Sequence, residues 1–232
     1  VENGVKLYCK QVFVSDNIKN IMPDFLSLLK GAIDSTDIPL NVSRSALQGD
    51  PNIKKISNYI IKKVAESLKK LFNNDRERYN NAWEDIGLFV KYGCVQDNKF
   101  DEMMRSMVLF KNSEGKLITL SEYQESLPES VKEKLKEKYV YFEKGASDEA
   151  LRTQLLAEKI QTIETDNYID PHFMQHSEYQ KVGENSMKFV SIDSEIENLL
   201  ETSAVTDTDM KIKELFTTTL AGLDVEVKSL KN

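Results

Sequence analysis

Residues 139–192 read YVYFEKGASDEALRTQLLAEKIQTIETDNYIDPHFMQHSEYQKVGENSMKFVSI, and this stretch decides the fold class. Three short runs in it predict strands, at 139–142, 161–164 and 187–192. The segments between these runs predict helices, at 148–160 and 171–179. An alternation of strands and helices in this order predicts a mostly parallel sheet with helices packed against it.

The chain before this stretch is predicted to be mostly helical from residue 50 to residue 107. Asp50 followed by Pro51 is typical of a helix start. Apolar residues then recur at spacings of three and four on one helix face, at Ile53, Ile56, Ile60, Val64, Leu68 and Leu71. The opposite half carries Lys54, Lys55, Lys62, Lys63, Lys69 and Lys70. A lysine face of this kind is usually only solvated, and the alternative is attraction to an anionic partner.

Shorter elements complete the pattern. The N-terminal segment 5–14 predicts one strand, and capping-box patterns at Ser121 with Gln124 and at Ser130 with Glu133 predict two helix starts. Further helices are predicted at 23–29, 76–92, 100–107 and 207–220, and further strands at 31–34, 108–110 and 117–120. A strand that begins directly after Gly4 leaves no room for partner strands, so we expect the chain to be a piece of a larger protein.

The predicted architecture is α/β. Two α-β-α layered units are joined by a helical connector, and the start of a further α/β domain follows at the C-terminus. The predicted boundaries are 1–74 for the first unit, 75–107 for the connector, 108–203 for the second, smaller unit and 204–232 for the further domain.

Composition narrows the function classes. The 232 residues include 31 Lys and Arg against 38 Asp and Glu, a net charge of −7, which argues against a general nucleic-acid binder. Two cysteines make no disulfide framework and favour a cytoplasmic protein. We expect no membrane span, because no apolar run approaches the roughly 20 residues that cross a bilayer.

Most familiar chemical sites are absent from the sequence. It contains neither GxxxxGK[ST] nor GxGxxG, so we expect no nucleotide-binding loop in this chain. His172 and His176 lie four apart on a predicted helix, but Phe173 occupies the place of the general-base Glu of zinc proteases. Two ligands without a third make no metal site, so we predict none. Cys9 and Cys94 are predicted to be small buried hydrophobic residues.

Residues 38–48 read IPLNVSRSALQ and differ from the rest. Ser43 can cap a helical turn, which would place Arg44 and Gln48 one turn apart on the same side. An arginine on a loop can bind a terminal phosphate while a glutamine orients water, as an arginine finger does. On spacing alone, an exposed arginine on a short helix is the commoner interpretation.

A family resemblance changes that balance. In order and spacing the first 48 residues resemble the middle domain of the heat-shock protein 90 chaperones, bacterial HtpG type. The matching segments are GVKLY at 4–8, QVFV at 11–14, IMP at 21–23, LKGAIDS at 29–35, LNVSR at 40–44 and LQ at 47–48. A weaker resemblance continues through 82–91, 139–142 and Ile169-Asp170, and so covers nearly the whole chain.

The resemblance implies a catalytic loop at residues 38–48. In that family a separate N-terminal domain binds ATP and Mg²⁺, and the middle domain supplies a loop whose arginine contacts the γ-phosphate. The matching residue is Arg44, and Gln48 matches the glutamine that helps to organise the hydrolytic site. Supporting positions in and behind the loop are Asn41, Ser43 and Phe13. Ser45 stands where the family commonly has Glu, so any ion pair made by that Glu is in doubt here.

The resemblance also implies a chaperone of the stress response that is a cytoplasmic homodimer when full length. Residues 204–232 would begin its C-terminal dimerisation domain. Its partners would be its own N-terminal ATPase domain and unfolded client proteins, with no nucleic acid and no membrane. A client surface would lie around the helix after Ile169-Asp170, at His172, Phe173 and Met174. An exposed Phe-Met pair could form an adaptable apolar contact, and core packing of Phe173 is the alternative.

Two hypotheses follow from the sequence. In the first, the chain is the catalytic-loop and client-binding module of an ATP-hydrolysing chaperone, inactive when isolated from the nucleotide-binding domain. In the second, it is a nonenzymatic α/β protein-interaction scaffold in which Arg44 is merely structural.

Overall fold

The structure is a computed structural model, and it describes residues 5–15, 22–27, 29–34, 36, 51–136, 138–145, 149–166, 168–180, 187–192, 213 and 215–216. The chain has a mixed α/β fold, as predicted. It divides into two compact units, one drawn from residues 1–109 and 168–176 and the other from residues 110–167 and 177–232. No helix among the described residues is long and apolar enough to cross a membrane.

The first unit combines a small sheet with long helices. Its strands are β1 (Val5–Cys9), β2 (Val12–Ser15) and β3 (Gly31–Asp34). Their order is β2-β1-β3, with β1 antiparallel to β2 and parallel to β3. The helices are α1 (Pro51–Asn74), α2 (Arg76–Gln96) and α3 (Asn98–Met104), with 3-10 turns at Asp24–Leu26 and Arg105–Met107.

The prediction of a single N-terminal strand is wrong, because β1 and β2 form a hairpin. Lys10 and Gln11 form its turn, with φ of 48° and 66°, and Cys9 pairs with Val12 across it. Positive φ at both central residues matches the right-handed twist of the strands. The backbone N–H of Gln11 donates to both carboxylate oxygens of Asp34, at 3.2 and 3.1 Å. This contact holds a turn that lacks the usual Asn or Gly.

Helix α1 is confirmed, and its six lysines are all exposed. Its most buried residues lie about 100° around the helix from the predicted apolar face. Ile61 and Ala65 are buried, whereas the predicted Ile60, Val64, Leu68 and Leu71 are only half-buried. The side chains of Ile53 and Ile56 lie outside the described residues.

Helices α2 and α3 belong to the first unit, in contrast to the connector predicted at 75–107. Their inward side chains are core residues of that unit: Tyr79, Trp83 and Phe100 are all buried. The rings of Phe25 and Phe100 lie 5.0 Å apart, and Gly93 permits this approach because a Cβ there would meet both rings at 2.7 Å. The packing of these aromatic rings, which helix periodicity alone does not reveal, sets this boundary.

The second unit is built on a five-stranded sheet. Its strands are β4 (Leu109–Asn112), β5 (Leu117–Thr119), β6 (Lys138–Glu143), β7 (Ile163–Thr165) and β8 (Lys188–Ser191), in the order β5-β4-β7-β6-β8. The helices are α4 (Leu120–Ser126), α5 (Glu129–Leu135) and α6 (Glu149–Ala157). Helix α7 (Asp170–Tyr179) follows along the chain, and its residues up to His176 belong to the first unit. Strand β6 is parallel to β7 and β8, which confirms the sheet predicted from 139–192, while β4 is antiparallel to β7.

Both predicted capping boxes are wrong. The box of α4 is formed by Thr119 and Glu122, two residues earlier than predicted, with hydrogen bonds of 3.1 and 2.7 Å. A glutamate carboxylate accepts a stronger hydrogen bond than the amide of Gln124, which explains why the box forms with Glu122 and not with Gln124. Helix α5 begins after Pro128 and has no side-chain cap.

The C-terminal predictions largely fall outside the described residues. These are the further domain at 204–232 and most of the helix at 207–220. Within them, Lys213, Leu215 and Phe216 are helical.

Candidate functional site

The predicted catalytic loop at 38–48, with Asn41, Ser43, Arg44 and Gln48, lies outside the described residues. The structure does describe the elements on either side of it in the sequence. Strand β3 ends at Asp34 before the loop, and helix α1 begins at Pro51 after it. What the structure describes is therefore the framework of the predicted loop, that is, the strand before it and the helix after it in the sequence.

Strand β3 is anchored along its length and at its end. It pairs in parallel with β1 from Val5 opposite Gly31 to Tyr8 opposite Asp34. Leu7 in β1 is fully buried, which fixes the central strand in the unit. The carboxylate of Asp34 also accepts the hydrogen bonds from the hairpin turn. The strand that precedes the loop in the sequence is thus fixed both by its backbone pairing with β1 and by the side chain of Asp34.

Phe13 lies on the surface of this framework. Its side chain is 53% exposed and meets the Tyr8 ring edge-on, with centroids 5.7 Å apart. It is therefore not a core residue. Its predicted packing behind the catalytic loop stays a prediction, because the loop is outside the described residues.

Helix α7 corrects one expectation about client binding. Phe173 is fully buried and Met174 is 7% exposed, so these two residues are not an exposed apolar pair. The alternative, core packing of Phe173, is confirmed. The α-helical period turns both side chains inward while His172 beside them is exposed. A role for His172 in client contact stays a prediction.

A buried ion pair joins α2 to α7 within the first unit. The Nζ of Lys91 donates to Oδ1 of Asp170, and the two side chains are 8% and 4% exposed. Sequence reasoning missed this pair. The available signal was Lys91 itself, which adjoins Val90 on the buried side of α2, where a lysine requires an acidic partner.

A second polar cluster lies between α3 and α7. Asp101 is 2% exposed and accepts from Arg105 through Nε at 3.0 Å and through Nη2. The Nε2 of His176 lies 3.3 Å from Oδ2 of the same carboxylate. Burial, and then the charge of Arg105, lower the pKa of His176. The imidazole is therefore mostly neutral at neutral pH.

These contacts bear on the two histidines and on the cysteines. His176 is engaged by Asp101, and the described residues contain no group of three His, Cys, Asp or Glu side chains that could hold a metal ion. Burial raises the pKa of Cys94 to about 12, which keeps it a thiol rather than a nucleophilic thiolate. Cys9 is also buried. The prediction that both are buried hydrophobic residues is confirmed.

Comparison with known proteins defines the class of this fold. The chain is similar to the middle domain of a heat shock protein from Plasmodium falciparum, with a TM-score of 0.63, 21% identity and coverage of 82% of this chain and 73% of that one. At that identity the likeness establishes the fold alone. The fold is thus similar to that of this middle domain.

Sequence comparison then gives the family. The family model described as "Hsp90 protein" matches residues 1–229, and the chain belongs to this family. It is 41% identical over 210 residues to the chaperone protein HtpG of Porphyromonas gingivalis, covering 85% of this chain and 29% of that protein. It is 49% identical over 123 residues to HtpG of Bacteroides thetaiotaomicron, covering 53% of this chain and 18% of that protein. The chain thus spans less than a third of the length of these relatives.

Proposed function

We propose that this chain supplies the catalytic loop of an ATP-driven chaperone. The observation that carries the proposal is the family match over residues 1–229, which includes the segment LNVSR at 40–44 and Gln48. The anchored strand β3 before the loop supports it, because a catalytic arginine needs a firm base from which to reach a separate domain. Arg44 is the residue that we expect to contact the γ-phosphate.

The chemistry proposed for Arg44 is electrostatic. Negative charge spreads over the γ-phosphoryl oxygens as the bond to the leaving group breaks, and a guanidinium stabilises that charge through paired donors. Gln48 would orient the attacking water from one helical turn further on. ATP and Mg²⁺ would be held by a separate N-terminal domain, so that turnover requires this domain to close on the loop. Arg44 suits this role because a guanidinium binds phosphate oxygens but not Mg²⁺.

The same proposal covers the partners of the whole protein. As a cytoplasmic homodimer acting in the stress response, it would bind unfolded client proteins, and this chain would contribute part of that surface. The exposed His172 at the start of α7 supports a contact there, whereas the buried Phe173 and Met174 do not.

The test replaces Arg44 in the full-length protein. Arg44→Ala is expected to lower ATP turnover by roughly a hundredfold or more, the usual effect of removing a donor that acts on the transition state. Nucleotide affinity should change little, because the pocket lies in another domain. Phosphate release at saturating ATP measures the first quantity, and calorimetric titration with ATP measures the second.

Two further variants sharpen the result. Arg44→Lys retains the charge but loses the planar paired donors, so it should restore only a small part of the turnover. Arg78→Ala removes an exposed arginine from α2 and is the matched control, expected to turn over ATP normally. Normal turnover in Arg44→Ala would contradict the proposal and favour the nonenzymatic scaffold.

A further inference from the structure

Helix α1 carries a concentration of positive charge that the proposed function does not use. Six lysines and a single acidic residue, Glu66, give residues 51–74 a net charge of +5, although the whole chain carries −7. All six lysines are exposed. We call them the lysine face: Lys54, Lys55, Lys62, Lys63, Lys69 and Lys70.

The lysine face is organised in rows. Lys55, Lys62 and Lys69 recur every seven residues, as do Lys63 and Lys70. Seven residues are close to two helical turns, so the members of a row share one side of the helix, about 10.5 Å apart. Tyr59 is 61% exposed beside them, and the Nζ of Lys63 lies 5.5 Å from the centre of its ring.

Most of this charge has no counter-charge. Lys62 and Lys63 lie 3.9 and 3.0 Å from the carboxylate of Glu66, and such exposed pairs are weak. Among the described residues, no carboxylate lies within ion-pair distance of Lys54, Lys55, Lys69 or Lys70. Like charges repeated along one helix repel each other, and an anionic partner would relieve that repulsion.

We propose that the lysine face binds an acidic polypeptide segment. The row spacing of about 10.5 Å is close to the repeat of a polyproline II chain, which places every third side chain on one side at about 3.1 Å per residue. The face contains no arginine, so each of its contacts is that of a lysine ammonium, a point charge that pairs with single carboxylates without a fixed geometry. The net charge of −7 of the whole chain would repel a long polyanion. A short acidic segment would lie close to the lysines only, and salt would screen the negative charges elsewhere on the chain.

The test measures binding of fluorescein-labelled polyglutamate of about 20 residues to the full chain by fluorescence anisotropy at low salt. The triple variant Lys55→Gln, Lys62→Gln, Lys69→Gln is expected to weaken binding roughly tenfold, from three exposed ion pairs lost together. The matched control is Lys111→Gln, Lys134→Gln, Lys144→Gln, which removes three exposed lysines of the second unit. Both triples change the net charge equally, so the control should weaken binding less than about twofold if location matters.

The remaining outcomes are equally decisive. Glutamine keeps nearly the helix propensity of lysine, so the triple variant should retain its helical circular dichroism. The proposal is overturned if the two triples weaken binding equally or if the wild-type chain does not bind polyglutamate. It is also overturned if oligothymidylate of the same length binds more tightly, since the face would then be a nucleic-acid surface. None of these results depends on Arg44 or on ATP turnover.

Discussion

At the scale of single residues, Lys91 and Asp170 carry the strongest energetic consequence. Both charges are removed from water, and their mutual attraction offsets that cost only while both are present. Losing one partner leaves the other as an uncompensated buried charge. The pair also connects two segments, 82–91 and Ile169-Asp170, that carry the weaker family resemblance.

We expect Lys91→Met to lower the free energy of unfolding by about 3 kcal/mol, and Asp170→Asn by a similar amount. Urea unfolding followed by the fluorescence of Trp83 measures this loss, because that residue is the single tryptophan and is buried in α2 near Lys91. The mechanism predicts that the double variant loses clearly less than the sum of the single variants. Simple additivity would show that the two side chains act independently and would contradict the ion pair.

Some residues could be placed from the sequence and others could not. The cysteines were correctly predicted as buried, because a small apolar residue on a strand or helix has few other uses. Phe173 was left open, because an aromatic residue next to a histidine on a short helix fits either face. Lys91 was missed because its partner lies 79 residues away, a distance over which no local pattern carries information.

At the scale of elements, α7 is the helix whose side chains are most fully explained by contacts. Its first residue pairs with Lys91, and His176 near its end reaches the Asp101–Arg105 pair. Its central aromatic, Phe173, is buried. The attachment of this helix to α2 and α3 therefore has an apolar centre and a polar contact at each end.

The contact at His176 predicts a pH-dependent stability. Burial and the charge of Arg105 lower the pKa of His176 in the folded state below its ordinary value of 6.5. At a pH below 6.5 the unfolded chain therefore binds a proton at His176 more readily than the folded chain does. The free energy of unfolding is therefore fully retained above that pH and falls as the pH drops through the window below it. His176→Gln should remove this part of the decline, measured by urea unfolding at about pH 5.5 and about pH 7.5.

The control for this prediction lies on the same helix. His172→Gln removes an exposed imidazole and should leave the wild-type decline in place. All other titrating groups are the same in His176→Gln and in the wild type, so the difference between those two proteins reports His176. An identical pH dependence in the two variants would contradict the assignment.

Most elements could be predicted from local patterns, and the exceptions have physical reasons. The strands and helices of 139–192 could be predicted because strand-like and helix-like segments alternate there, as they do in a parallel sheet with helices packed against it. The hairpin at Lys10-Gln11 was missed because its left-handed turn depends on the carboxylate of Asp34, 23 residues further along the chain. The most buried line of α1 lies about 100° from the predicted face, because tertiary packing selects which side of a helix is buried most deeply.

At the scale of the molecule, the domain boundaries were the least predictable feature. Helices α2 and α3 were expected to connect two units, yet they belong to the first. The first seven residues of α7 join them although the chain has already entered the second unit. Membership in a unit depends on contacts between distant segments, so it is only weakly encoded in the order of elements.

The last prediction concerns the chain as a whole. Isolated from any other domain, the 232-residue chain is expected to release no phosphate from ATP, although it contains Arg44. A guanidinium accelerates phosphoryl transfer only when the nucleotide, the metal ion and the water are already held in line with it. A phosphate-release assay measures this, with the full-length protein as the positive control and the Arg44→Ala chain as the blank. Arg44-dependent turnover by the isolated chain would contradict the placement of the ATP site in a separate domain, because one polypeptide would then contain both the nucleotide pocket and the arginine.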